Sequence, residues 1–370
     1  MIGVEKFDKF IYVIILLVLC CGCQQIDDTP TELEDTEWST SVRSMVGIEK
    51  KLIVGQVVNN EQLLFFPRYI VQTANNLIAL NLSGDSLANI FSHDGLLRLG
   101  AFAKKGKGPR EFQTIWDYSR SVRDIADLWL FDMASQRMHY WSSTGSNLAV
   151  SRSNYDPVIF QLDAQYPGRV LHATELGDGR FATTGTFLNS KVRIYNSTGE
   201  PISEIGKLPK PKEGESPAVV QHKYSSYITS RTNENVFAIA GVYVDEVEIF
   251  DADKRHKISI IGPDGIEPIY RTDSGRPIRT KESKLAYQSL ASTKDYIFAL
   301  LSGTSPSEFE NEDLAFYGKE IVVIDWNGNV VEHFITNEYL FSITVSSDGH
   351  SIYGVQHYPS VKLIKYELGL

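Results

Sequence analysis

The chain has 370 residues, 42% of them apolar and 11% aromatic, enough for one large core or two ordinary ones and too apolar to stay disordered. Thirty-six Lys and Arg face 46 Asp and Glu, and the resulting formal charge of -10 has the wrong sign for a protein that tracks a nucleic-acid backbone.

The first element is an apolar run, Phe10 to Val18, preceded by Lys6 and Lys9 and followed by Cys20, Cys21, Gly22 and Cys23. A membrane span needs about 20 apolar residues, so a basic start and a short run read better as a leader that is removed. Gly22-Cys23 resembles the cleavage point of bacterial lipoprotein signal peptides, which implies a signal peptide over 1–22 and a lipid on Cys23. Cys21 is the second candidate, and an uncleaved helix in the inner membrane is the alternative. All three cysteines lie at 20, 21 and 23, so the mature domain is expected to hold neither a disulfide nor a thiolate metal site. Residues 23–43 then carry Asp27, Asp28, Glu32, Glu34, Asp35 and Glu37 with no basic residue before Arg43. Such a stretch repels itself and reads as a tether. It also resembles the surface-export signal of Bacteroidota lipoproteins, with a plain solvated linker as the other reading.

From residue 44 onward a repeat organises the sequence. A turn rich in Asn, Asp or Gly is followed by a short apolar strand with a large central residue: Ile78, Trp129, Phe181, Phe237, Phe298 and Tyr353, spaced 51 to 61 residues apart. In four units the next residue is Ala (Ala79, Ala182, Ala238, Ala299), small enough to let neighbouring sheets approach closely. A second alternating strand follows in each unit, as in ANIFSHDG, VRIYNSTG and VEIFDADK, with a period of two. Six copies without helical periodicity predict an all-β, six-bladed propeller over 44–370, with a two-domain sandwich as the alternative. The last unit stops one strand short after VKLIKYEL. Residues Met45 to Val58 are therefore expected to supply an N-terminal strand to the last blade and close the ring.

Between the first two units lies LGAFAKKGKGPREF, in which Gly106, Gly108, Pro109, Glu111 and Phe112 resemble the G-x-G-P-x-E-F signature of Bacteroidota six-bladed, TolB-like propeller lipoproteins. The resemblance implies the fold and a place in the cell envelope, and it implies no activity. Lys104, Lys105, Lys107 and Arg110 surround the glycines, so anion capture is one reading of the segment; the other is structural, with the glycines turning the chain and Phe112 filling a gap between blades.

Candidate chemistry is sparse. The eight histidines show no H-x-H or H-E-x-x-H spacing and no G-x-S-x-G elbow is present, so the sequence gives no catalytic residue and leaves the metal question open. A divalent cation held by ligands from several blades would escape any spacing argument; Asp117, His172 and Glu175 are the inner-strand groups to inspect. At the starts of the presumed innermost strands stand Tyr69, Tyr118, Tyr227, Tyr287 and Phe341, with Arg68 and Arg169 beside two of them. Facing the central opening, they would form an aromatic and cationic mouth for a protein, peptide or glycan, and the competing reading is packing between blades. The long segments 263–284 and 302–318 carry opposite charges and are expected near the binding side or paired with each other. The sequence thus predicts an outer-membrane lipoprotein on the periplasmic or cell-surface face. It is expected to be anchored by its N-terminal lipid, to need no cofactor and to bind no nucleic acid. A metal-assisted lyase or lactonase and a scaffold of an envelope complex are the alternatives.

Overall fold

The structure is a computed structural model, described here over residues 38–369 except 46, 61–65, 74–75, 93–96, 122–126, 143–156, 162–166, 214, 274–275 and 347. Cys23 and the expected leader lie outside the described residues. Six antiparallel sheets stand around a central channel, each laid down from the channel outward. Blade 1 is Pro67–Gln72, Asn76–Asn81, Ser86–Ser92 and Arg98–Lys104. Blade 2 is Asp117–Arg120, Leu128–Asp132, Arg137–Trp141 and Val158–Ile159, and blade 3 is Val170–Glu175, Phe181–Gly185, Ser190–Tyr195 and Pro201–Lys207. Blade 4 starts with Ser226–Ser230, Val236–Gly241, Glu246–Asp251 and His256–Ile261; blade 5 with Tyr287–Ser292, Tyr296–Leu301, Gly318–Asp325 and Val330–Leu340. Blade 6 has only Ser342–Val345, Ser351–Gln356 and Lys362–Glu367 from the C-terminal part of the chain.

The ring is closed from the other end. Gln56–Asn60 pairs antiparallel with Lys362–Glu367, Val57 opposite Ile364, and becomes the fourth strand of blade 6. The expected single strand over 45–58 is in fact two, Lys50–Ile53 and Gln56–Asn60, and a third precedes them. Lys50–Ile53 adds to blade 5, parallel to Val330–Leu340, with Leu52 opposite Ile335. Ser39–Ser44 adds to blade 4, parallel to His256–Ile261, so ordered structure starts earlier than the tether boundary at 43 allowed. Between them Met45 turns inward, 6% exposed, with its sulfur 3.6 Å from the Tyr287 hydroxyl. The N-terminal arm thus covers the outer edges of two blades, whose open ladders would otherwise be exposed, before it completes the third.

The repeat occupies the second strand of every blade. Ile78, Trp129, Phe181, Phe237, Phe298 and Tyr353 are at most 4% exposed, and burying such side chains contributes about 1.5–3 kcal/mol each. The four alanines that follow are fully buried, and at the sixth position a Cβ on Gly354 would lie 2.7 Å from the Leu340 side chain. Blade faces do meet too closely there for a large residue. Asp and Gly in the turns have separate tasks: the Asp325 carboxylate accepts the backbone N–H groups of Asn327 and Asn329 at 2.9 and 2.8 Å, and Gly328 takes a φ of 80°.

Because strands alternate in direction, links from one blade's outer strand to the next blade's inner strand all emerge on one face, called here the mouth face. The three long segments of blades 3 to 5 emerge there together. They carry the helix Pro217–Lys223, capped by Ser216, the hairpin Tyr270–Asp273 and Arg276–Arg279, and two short 3-10 turns, Pro306–Glu308 and Glu312–Phe316. Tyr243, Leu285 and Ala315 form a small apolar centre beneath them, and the Lys281 ammonium lies 2.5 Å from the Glu312 carboxylate. The opposite charges of the two segments do pair at that point.

Candidate functional site

The channel wall is built from hydroxyl-bearing residues on the innermost strands. Ser119 meets Thr174 at 3.1 Å, Thr174 meets Ser230 at 2.7 Å, and Thr229 meets Ser292 at 2.7 Å. The Ser289 hydroxyl donates to the Ile343 carbonyl at 3.3 Å, and the Ser342 and Thr344 hydroxyls donate to the carbonyls of Arg68 and Ile70. The Arg120 guanidinium completes the circuit by donating to Gln72 of blade 1 at 3.0 Å and to Val345 of blade 6 at 3.3 Å. Each bond fixes the angle between two blades. A cavity of about 40 Å³ lies between the far halves of these strands, lined by Ser121, Thr174, Thr229, Ser230, Ser292 and Val345.

At the mouth end five blades converge. The His172 Nδ1 lies 2.8 Å from the Asp117 carboxylate, which also accepts the Tyr118 backbone N–H at 2.8 Å. The Tyr227 ring packs against the imidazole at 4.7 Å between centroids. The Arg68 guanidinium faces the phenols of Tyr69 and Tyr227 and the Asp117 carboxylate, and lies over the Trp116 ring at 4.0 Å and near Phe341 at 5.9 Å. Burial raises the pKa values of the Tyr69, Tyr118 and Tyr227 phenols, so they remain neutral donors at all ordinary pH. Burial likewise holds the His357 imidazole, beside this group, at about 4. Its ring stacks on Phe66 at 4.0 Å and approaches Phe341 at 4.6 Å.

The expected ring of aromatic side chains is therefore divided. Arg68, Asp117, His172, Tyr227 and Phe341 gather at the mouth. Tyr69 and Tyr118 contact each other edge to face at 5.2 Å and pack into the core between blades 1 and 2. Tyr287 is fully buried between blades 4 and 5, where its hydroxyl donates to Asp245 at 3.1 Å. Arg169 sits on the linker into blade 3 and donates to the Met133 and Ala134 carbonyls, both at 3.2 Å, so it ties two blades together. Glu175, 2% exposed, accepts from the Ser121 hydroxyl at 3.2 Å, toward the far end of the same strand pair. Trp116 and His357 were not among the sequence candidates. Trp116 immediately precedes Asp117, so comparing the residues just ahead of each inner strand would have found it.

The signature loop has its own internal anion. The Glu111 carboxylate accepts the Gly108 backbone N–H at 3.0 Å and pairs with Lys104 at 2.9 Å. A Cβ on Gly106 would fall 1.9 Å from that carboxylate, so any other residue there would have to displace the Glu111 side chain from the loop. Phe112, 6% exposed, packs in the core of blades 1 and 2 against His139, 4.1 Å between centroids. Pro109 is exposed at the loop's tip. The backbone donor that an external anion would use is already taken by Glu111. Among the described residues no group of three or more His, Cys, Asp or Glu is placed to hold a metal ion.

The sequence matches the model of the TolB-like 6-blade propeller-like family over residues 49–348, and the chain belongs to that family. No curated protein matches it. Similar solved structures include one described as an exported protein from Bacteroides fragilis NCTC 9343, 10% identical, covering 88% of this chain and 98% of that one with a TM-score of 0.48. A member of the duf4221 family from Bacteroides vulgatus is 11% identical, covering 87% and 96%, TM-score 0.47. The structure of U3-55K is 11% identical, covering 85% and 98%, TM-score 0.49.

Proposed function

We propose that this protein is a lipid-anchored, non-enzymatic binding protein of the outer membrane of a Bacteroidota cell, which holds a peptide, protein or glycan ligand at the mouth face of its propeller. The observation that carries the reading is the meeting of Arg68, Asp117, His172, Tyr227 and Phe341, contributed by five different blades, on the face that also bears the three long segments. A rigid ring that presents convergent polar and aromatic groups beneath longer loops is a common arrangement for recognition. Ser39, where the first described strand starts, pairs with His256 at the end of blade 4 opposite the mouth. A lipid on Cys23 would then leave the mouth face free of the tether's point of entry.

Binding to glycan and peptide arrays tests the reading. Retention of at least one ligand class is expected, reduced about tenfold or more in Phe341→Ala and Tyr227→Ala. Unchanged retention in both variants contradicts it. Separately, Cys23→Ala is expected to move the protein from the membrane fraction to the soluble envelope fraction, and continued anchoring would refute the assignment of that residue. An enzyme is the second reading, favoured by the Asp117–His172 pair, which has the geometry of an acid/base couple. It requires turnover of the bound ligand that His172→Gln abolishes while binding persists.

A further inference from the structure

The geometry points to a chain of neutral sugars as the ligand of the mouth face, its end at His172 and its length laid along a track of aromatic rings on blades 5 and 6. This rests on the mouth being the binding face and adds the class of what it binds. Among the described residues, every Trp, Tyr and Phe that is not buried stands on the mouth face, apart from Trp38, Phe102, Tyr118 and Tyr296. Single exposed rings need no explanation, but a gathering on one face marks a surface that meets something. The track begins beside the channel at Phe341, whose ring lies 5.7 Å from that of Tyr317. It continues to Tyr339, 6.0 Å from Phe309. Gly318 pairs with Leu340 but Glu320 with Ile335, so the outer strand of blade 5 bulges over 336–339, and Tyr339 on the bulge is half-exposed while Leu340 is fully buried. Flat apolar faces in succession suit the C–H faces of successive pyranose rings.

Two further observations narrow the ligand. Segments 302–317 and 336–341, which carry the track, expose no Leu, Ile, Val or Met among the described residues, so they lack the contiguous apolar patch that a protein partner would cover. The mouth itself satisfies its own charges. Burial opposes the Arg68 charge, but the phenols of Tyr69 and Tyr227, to which the guanidinium is hydrogen-bonded, and the Asp117 carboxylate more than offset it. Asp117 in turn holds His172. On the track the Lys319 ammonium lies over the Tyr339 ring at 4.9 Å, and the neighbouring Glu338 carboxylate accepts from Gln356 at 2.8 Å, so neither sign of charge prevails. What the mouth offers is an acceptor. His172 Nδ1 donates to Asp117, so in the neutral ring Nε2 carries a lone pair; it meets no partner among the described residues, and 9% of the side chain is exposed. A sugar hydroxyl is a donor for it that brings no charge.

Calorimetric titration of the full mature chain with neutral hexasaccharides of glucose, mannose, galactose and xylose, with the matching disaccharides and with hexagalacturonic acid separates the outcomes. At least one neutral hexasaccharide is expected to bind, about tenfold or more tighter than its disaccharide, with the same affinity in about 0.05 and about 0.5 M NaCl. Tyr317→Ala and Tyr339→Ala are each expected to weaken the hexasaccharide about 3- to 10-fold, the range of one lost ring contact, and to leave the disaccharide unchanged. Tyr339→Phe, which keeps the ring, should bind as the wild type does, and His172→Leu, which removes the acceptor, should weaken both lengths. Equal affinity for the two lengths, with loss in Phe341→Ala, would overturn the track while leaving the mouth as the binding face. Tighter binding of hexagalacturonic acid that fades with salt would overturn the neutral class. A neutral chain held equally well by Tyr317→Ala, Tyr339→Ala and Phe341→Ala would overturn the inference and the mouth reading together. Absence of binding to every sugar overturns the inference, and a peptide retained on the arrays but lost in Phe341→Ala would then leave the mouth reading standing.

Discussion

A chain that starts at residue 61 is expected to lose cooperative thermal unfolding and to associate through open sheet edges. The truncation removes Gln56–Asn60, the only described strand pairing with Lys362–Glu367 on its outer side, together with the strands that cover blades 4 and 5. At about 1 kcal/mol net for each ladder hydrogen bond, the four registered pairs in blade 6 alone are worth roughly 4 kcal/mol. That is a large share of the ~5–15 kcal/mol by which domains are stable. The outer apolar side chains of blade 6, including Ile364 and Tyr366, would also be uncovered: they lie 2.3 and 2.6 Å from where a Cβ on Gly55 would stand, so the arm's backbone rests directly on them. Calorimetry of the truncated and full chains checks this, and an unchanged transition would mean that the ring closes by another route. A chain starting at 49, which keeps both the blade 5 and blade 6 strands, is expected to show an intermediate loss.

Glu248→Ala carries the second large expected effect, a loss of about 3–5 kcal/mol at neutral pH, the usual result of removing one partner from a buried ion pair. Glu248 is 2% exposed; its oxygens lie 2.5 Å from the Lys191 ammonium of blade 3 and 2.7 Å from Lys257 of its own blade. Truncation leaves the buried Lys191 with Glu246 alone, at 3.2 Å. Burial works against ionisation of Glu248, but Lys191 and then Lys257 more than offset it and hold the carboxyl below its ordinary value. A carboxyl whose folded pKa is depressed contributes fully above the unfolded value of about 4.3, and the contribution is lost as pH falls through the lower folded value. The gap between wild type and Glu248→Ala should therefore be widest at pH 7 and narrow as pH falls below about 4. Urea midpoints at pH 7 and pH 3 measure both; equal midpoints at pH 7 would show that the pair does not hold the two blades together.

The blade count was legible because each blade meets its neighbours in the same way, so one packing requirement is written six times: a large residue, then a small one, as in Phe181-Ala182 and Phe237-Ala238. Nothing repeats in the N-terminal arm. Ser39–Ser44 and Lys50–Ile53 attach to single blades, and their exposed Val42 and Leu52 give no alternation that would mark them as strands. The mouth was half legible. Aromatic residues at inner-strand starts were visible, but which way each faces depends on pairing register. Shifts between Pro67 and Tyr69, between Val170 and His172, and between Tyr287 and Ser289 interrupt the pleat at the starts of three of these strands. A one-residue shift moves a side chain from channel to blade interface, so Tyr287 ends beside Asp245 while Tyr227 meets His172. The Asp117–His172 pair joins residues 55 apart in the chain, one repeat length, and is apparent only when two blades are laid side by side.

Hydrogen exchange of the mature protein, with and without whichever array ligand it retains, tests most directly that the mouth is the binding face. Protection is predicted at the backbone amides of Arg68, Asp117, His172, Tyr227 and Phe341, with the outer strands of blades 1 and 3 unchanged. Protection confined to those outer strands, or to the face where Ser39 enters blade 4, would contradict the account.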